Sequence, residues 1–183
     1  MSLFEERKHA ALLVIDVQNN VVDGAFALET VVASINNVIN KARAANVSVI
    51  WVQHSDEELT IGSKGWQIVP ELLPLENEPI IRKIYRSSFE STELDSILES
   101  LNVDHLYISG AQSNNCIRHT CHAALERGYD ITLISDGHTS TGYEWNGHVI
   151  DGGDVVNEQN DNFSNYTLPG RNAVALKSDE ITF

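Results

Sequence analysis

The sequence predicts an α/β protein: a three-layer αβα sandwich around a six-stranded parallel sheet. Short runs rich in Val, Ile and Leu alternate with amphipathic helical stretches, the pattern of a parallel sheet covered on both faces. The run at 10–17 (AALLVIDV) is apolar without alternation, as a strand buried on both faces must be. At 183 residues the chain is long enough to bury one sizeable core.

Residues 10–17 form the first predicted strand. A helix follows over 30–45, with Val31, Ile35, Val38, Ile39 and Ala42 on one face. Residues 47–53 (VSVIWVQ) are the second strand. The stretch 54–77 carries Gly62, Gly65, Pro70 and Pro74 and reads as loose, with a short helix around 66–73. Residues 79–84 are the third strand, and Leu94, Ile97, Leu98 and Leu101 mark the next helix. The fourth strand, 105–109 (HLYIS), runs into Gly110. Helical spacing resumes over 116–127 and stops at Gly128. Residues 129–135 and 173–177 are the fifth and sixth strands. Residues 136–153 read as a loop. The helix between these strands falls at about 151–162, weakened by Gly152, Gly153 and many Asn and Asp. With no linker, repeat or low-complexity block, 1–183 is expected to be a single domain.

A 42% hydrophobic and 21% charged composition is that of a soluble globular protein. Twelve Lys and Arg against twenty-six Asp and Glu leave a net charge of -14. That field opposes phosphate backbones and anionic membrane surfaces, so neither a nucleic-acid nor a membrane partner is expected. The polar, charged stretch 1–9 lacks the apolar run of a signal peptide, and 10–17 is too short to span a bilayer. A cytoplasmic location is expected, and the Asn-x-Ser/Thr triplets at Asn46, Asn162 and Asn165 are read as chance. Cys116 and Cys121, five apart on one helical pattern, diverge and are not expected to form a disulfide.

In open parallel sheets ligands bind beyond the carboxyl ends of the strands. Asp16 ends the first strand, Lys83 ends the third, and Cys116 follows the fourth. Cys116, placed at a helix start, would be favoured as a thiolate by the unpaired N–H groups there. The same groups could stabilise an oxyanion. Asp16, a carboxylate in an apolar run, needs a partner or a shifted pKa. Close to a thiol it could take the proton, with Lys83 holding the charges together. Two plainer readings stay open: Cys116 as a small buried apolar residue, and Asp16–Lys83 as a structural ion pair. His119 and His122, three apart on one helix, lack adjacent carboxylates and are not expected to bind metal. Phosphate-loop, dinucleotide, serine-elbow and Cys-x-x-Cys motifs are absent.

Four ordered blocks carry a resemblance: LLVIDVQN at 12–19, GSKGWQIVPEL at 62–72, IIRKIYRSSFESTEL at 80–94, and ISGAQSNNCIRHTCHAALERGYDITLISDGHTS at 108–140. Here the chain resembles the isochorismatase-like cysteine hydrolases, which include nicotinamidases, N-carbamoylsarcosine amidohydrolases and isochorismatases. The resemblance implies Asp16 as general base, Lys83 as charge stabiliser and Cys116 as nucleophile. It also implies a non-proline cis peptide at Ala111–Gln112, with the N–H groups of Gln112 and Cys116 as oxyanion donors. Metal-bearing relatives carry an Asp-x-His-x-x-His-like cluster after the second strand, where this chain reads QHSDEELTIGSKGW, so no metal or other cofactor is expected. Isochorismatases proper commonly lack the nucleophilic cysteine, and Cys116 therefore points to hydrolysis of a small amide, ureide or carbamoyl compound through a thioester. Vinyl-ether hydrolysis, or ligand binding without catalysis, are the alternatives. Phe26, Gln53 and Trp66 are expected by position to line the pocket, with core or interface packing equally open for Phe26 and Trp66, and relatives' habits imply a homo-oligomer, a dimer or tetramer.

Overall fold

The structure, a computed structural model, describes residues 2–183. Its elements follow as β1 (His9–Ile15), α1 (Leu28–Ala44), β2 (Ser48–His54), β3 (Ile80–Lys83), α2 (Leu94–Ser100), β4 (Val103–Ala111), a π-helical turn (Ser113–Ile117), α3 (Arg118–Arg127), β5 (Asp130–Thr139), β6 (Tyr143–Trp145), β7 (His148–Ile150), α4 (Gly152–Ser164), β8 (Thr167–Leu168) and β9 (Arg171–Leu176). The main sheet has the order β3-β2-β1-β4-β5-β9-β8. All its pairings are parallel except β8 with β9. The sheet thus has seven strands rather than six, because the two-residue β8 pairs antiparallel at the edge, too short to leave a strand signature in sequence.

Successive side chains of a strand point to opposite faces, and β1 divides accordingly. Ala11, Leu13 and Ile15 pack with Leu94 and Leu98 of α2, Cys121, Ala124 and Leu125 of α3, and Phe163 of α4. Leu12 and Val14 pack with Trp51 and the apolar stripe of α1, where Val31, Val32, Ile35, Val38, Ile39 and Ala42 are buried. Apolar area removed from water on both faces holds the three layers together.

Two further expectations are corrected. No helix forms around 66–73. There Asn19 and Asn20 donate to the carbonyls of Gln67 and Gly65, Val69 donates to Val17, and Gln18 bridges Ile68. Pro70 also biases the preceding residue away from helical torsions. The expected loop 136–153 holds the end of β5 and the antiparallel hairpin β6–β7. Strand β5 outlasts its apolar run because its pairing with β4 jumps from Ile108–Leu133 to Gly110–His138.

The weak helix at 151–162 is a full one, α4. Asp151 caps it by accepting a 2.7 Å bond from Gly153 N. Its glycines sit in the first turn for close packing: a Cβ on Gly152 would lie 2.2 Å from the Ser140 carbonyl oxygen. Among the described residues, no helix is long and apolar enough to cross a membrane.

Candidate active site

Strand order reverses between β1 and β4: β2 and β3 extend the sheet from one, β5 and β9 from the other. The carboxyl ends of such a pair form a crevice. Ile15 pairs with Gly110 there, so Asp16 and the segment after β4 emerge side by side. Asp16 leaves the strand at φ 52, with its N–H donating to Val52 O at 2.9 Å. Gly110 has φ 122, and a Cβ there would lie 1.9 Å from Ile15 O. Only glycine permits the two strand ends to approach this closely. The Ala111–Gln112 peptide that follows is cis.

Cys116 lies within the π turn, where Ile117 N donates to Gln112 O at 3.3 Å. The helix therefore does not start at Cys116 as expected; α3 begins at Arg118. Such single π turns recur at functional sites because they offset side chains from the regular helical spacing. Lys83 ends β3, beyond the intervening β2, and a long side chain is required to cross two strand spacings of roughly 4.8 Å each. Its Nζ reaches 2.6 Å from Asp16 Oδ2 and donates to Cys116 Sγ at 3.2 Å and to Tyr85 O at 3.1 Å. Asp16 and Lys83 are buried, while Cys116 is partly exposed.

The electrostatics follow from this packing. Burial pushes the Asp16 carboxyl above its ordinary value, outweighing the opposing pull of Lys83. Burial acts to depress the Lys83 ammonium, but Asp16 and Cys116 prevail and hold it above its ordinary value. Burial and Asp16 push the Cys116 thiol up to about 12 against the pull of Lys83. Desolvation and the neighbouring carboxylate thus act against the thiolate that position alone was expected to favour. The same causes favour the protonated thiol, and Oδ1 of Asp16 has no hydrogen-bond partner.

Asp16 and Cys116 line a cavity of about 610 Å³ with Asn20, Val21, Asp23, His54, Asp56, Glu58, Leu59, Gln112 and Asn115. Phe26, Gln53 and Trp66, expected to line the pocket, are not among these residues. Phe26 packs on Gly152 and Gly153 at the start of α4. Gln53 is buried and donates to Trp66 O at 3.1 Å. The Trp66 carbonyl also accepts from Gln18, and the ring lies under Arg82. Gln53 and Trp66 thus belong to the bracing of the loop between β2 and β3, and Phe26 to the start of α4. Among the described residues no group of three or more His, Cys, Asp or Glu side chains is placed to hold a metal ion.

Beneath the π turn runs a buried polar chain to which the sequence assigns no role. Ser113 Oγ is 2.7 Å from His138 Nδ1, His138 Nε2 is 2.9 Å from Asn160 Oδ1, and Asn160 Nδ2 donates to Ser135 O. The last bond fixes the amide orientation, so His138 donates from Nε2 and accepts the Ser113 hydroxyl at Nδ1. Burial pushes His138 down to about 4, and the neutral ring ties α4 to the turn that carries Cys116.

The Isochorismatase domain family model matches residues 10–152. The secreted isochorismatase effector Isc1 of Verticillium dahliae is 29% identical over 134 residues, covering 69% of this chain and 70% of Isc1. Streptothricin hydrolase of Streptomyces noursei is 30% identical over 136 residues, 71% of this chain but 54% of that protein, so the match spans about half of the longer relative. Among solved structures, N-carbamoylsarcosine amidase from Thermoplasma acidophilum superposes with a TM-score of 0.76 at 26% identity, covering 95% of this chain and 99% of that one. With its sheet, strand-end crevice and matched segment in agreement, the chain belongs to the isochorismatase family and is a hydrolase.

Proposed function

We propose that this hydrolase cleaves a C–N bond of a small amide, ureide or carbamoyl compound, with Cys116 as nucleophile, Asp16 as general base and acid, and Lys83 as charge stabiliser. The observation that carries this reading is Lys83 Nζ standing between Asp16 Oδ2 and Cys116 Sγ, at 2.6 and 3.2 Å, behind two residues that line the cavity. A structural ion pair alone would not require a partly exposed thiol as the third member. The kinship with an amidase and a streptothricin hydrolase is consistent with this chemistry.

In the cycle, Asp16 Oδ1 takes the thiol proton as sulfur attacks the carbonyl carbon, and the carbonyl electron pair moves to oxygen. The N–H groups of Gln112 and Cys116 are assigned as oxyanion donors. Collapse breaks the C–N bond, and Asp16 returns the proton to the departing nitrogen. Water then gives a proton to Asp16 and attacks the thioester, releasing the acid and restoring the thiol. The raised Asp16 and Cys116 values serve this cycle differently. A basic carboxylate is a better acceptor, and the thiol ionises only as the proton is drawn away.

A screen of small amides and ureides for ammonia release, run beside the Cys116→Ala variant, tests the proposal. Turnover lost with Cys116 supports it. Vinyl-ether hydrolysis of an isochorismate-like acid that survives Cys116→Ala would replace it.

A further inference from the structure

We propose that the cavity selects substrates bearing a positive charge, through Asp23, Asp56 and Glu58, and discriminates against carboxylate-bearing ones; this rests on the amide-hydrolase reading of the same site. The cavity lining contains these three carboxylates besides Asp16, and neither Lys nor Arg. The Lys83 ammonium behind Asp16 and Cys116 cannot serve a substrate carboxylate. The Lys83 side chain is 0% exposed, and its ammonium is engaged by Asp16, Cys116 and the Tyr85 carbonyl.

The three carboxylates differ in how they are held. Asp56 accepts the N–H groups of Glu58 and Leu59 at 2.9 and 2.7 Å and lies 3.1 Å from His54. The Leu59 N–H above all holds its carboxyl below the ordinary value, so it is charged throughout the neutral range. Asp23 and Glu58 are exposed, and among the described residues neither takes part in a described ion pair. Their charge is available to a ligand. Elsewhere in the lining, buried Asp16 presents an Oδ1 that accepts no hydrogen bond, and Asn20, Gln112 and Asn115 supply neutral amides. A floor built for reaction and a rim of negative charge define a ligand with a scissile amide at one end and an amine or quaternary ammonium at the other. About 610 Å³ leaves room for both, within the range of small-molecule sites. The net charge of -14 reinforces the bias at long range.

Exposed charge pairs are individually weak and screened by salt. Three carboxylates acting together are expected to give on the order of tenfold preference at low ionic strength.

The test separates charge preference from catalysis. Cys116 is blocked with two methanethiosulfonates of similar size, one carrying an ethylammonium group and one an ethylsulfonate, and adducts are followed by intact-protein mass with Cys116→Ala as control. Each cation-to-anion rate ratio is divided by that of a small neutral free thiol. The expected normalised ratio is roughly tenfold at low salt, several-fold smaller in Asp23→Asn with Glu58→Gln, and near one at high salt. A ratio at or below that of the free thiol, or one unmoved by the double substitution, overturns the proposal. A panel of matched cationic, neutral and anionic amides supplies the second arm. Faster hydrolysis of the carboxylate-bearing member would also overturn it. No hydrolysis of any amide alongside the expected probe ratio would overturn the amide reading and leave the charge preference supported.

Discussion

Lys83 Nζ lies 2.6 Å from Asp16 Oδ2, with the two side chains 0% and 1% exposed. Removing one member of a buried pair leaves the other charge uncompensated, at a cost of about 3–5 kcal/mol. Lys83→Ala is therefore expected to lower stability by that order and to abolish most turnover, whereas Lys83→Ala combined with Asp16→Asn should regain part of the stability and none of the activity. Urea denaturation of the two variants checks this. Equal stability of the single variant and the parent would remove the pair from the account.

The pH dependence of turnover follows from Asp16. As the proposed base it must be ionised, and burial raises its pKa, so kcat/KM is expected to fall on acidification with a midpoint above the ordinary carboxylate value of 3.8. A pH–rate profile gives the midpoint. A value at or below 3.8 would mean that the ion pair, and not desolvation, governs the base.

His138 makes stability itself pH-dependent. Its folded-state value is depressed to about 4 from 6.5. As pH falls through 6.5 the unfolded chain takes up a proton that the folded chain refuses until about 4, so stability is lost across that window, by about 3 kcal/mol from this residue. His138→Gln should be less stable at neutral pH but lack this acid-side slope. Urea midpoints from pH 7 to 4 compare the two, and parallel curves would contradict the assignment.

Gly110→Ala is expected to cost about 3 kcal/mol or more, because a Cβ would meet Ile15 O at 1.9 Å and the residue holds φ 122. Thermal or urea unfolding measures it. A loss below about 1 kcal/mol would mean that the β1–β4 crevice tolerates widening.

These relationships were unequally legible in the sequence. Asp16, Lys83 and Cys116 could be singled out because strand ends are marked by where apolar runs stop, and charged or nucleophilic side chains at those points stand out. The cavity walls could not. Asp23, Asp56 and Glu58 lie in loops whose path is set by long-range bonds such as Gln18 Nε2 to His54 O and Asn19 N to Gln67 O. Phe26, half exposed against the start of α4, and Trp66, beneath Arg82, lie outside the cavity lining. His138 lay inside the recognised block ISDGHTS, yet its partnership with Ser113 depends on the β4–β5 register jump, which no local pattern reports. The thiol's resistance to ionisation likewise arises from burial beside Asp16, a property of the assembled site.

The most direct test of the central claim is intact-protein mass spectrometry on a rapidly quenched reaction with a hydrolysed amide, comparing the parent with Cys116→Ala and Cys121→Ala. Cys121 is fully buried in the α3 core, away from the cavity lining, so its variant should remain active. The expected result is an acyl adduct on Cys116 in the parent and in Cys121→Ala, and neither adduct nor turnover in a folded Cys116→Ala. Retained turnover in Cys116→Ala, or an adduct mapped to Cys121, would contradict the thioester mechanism.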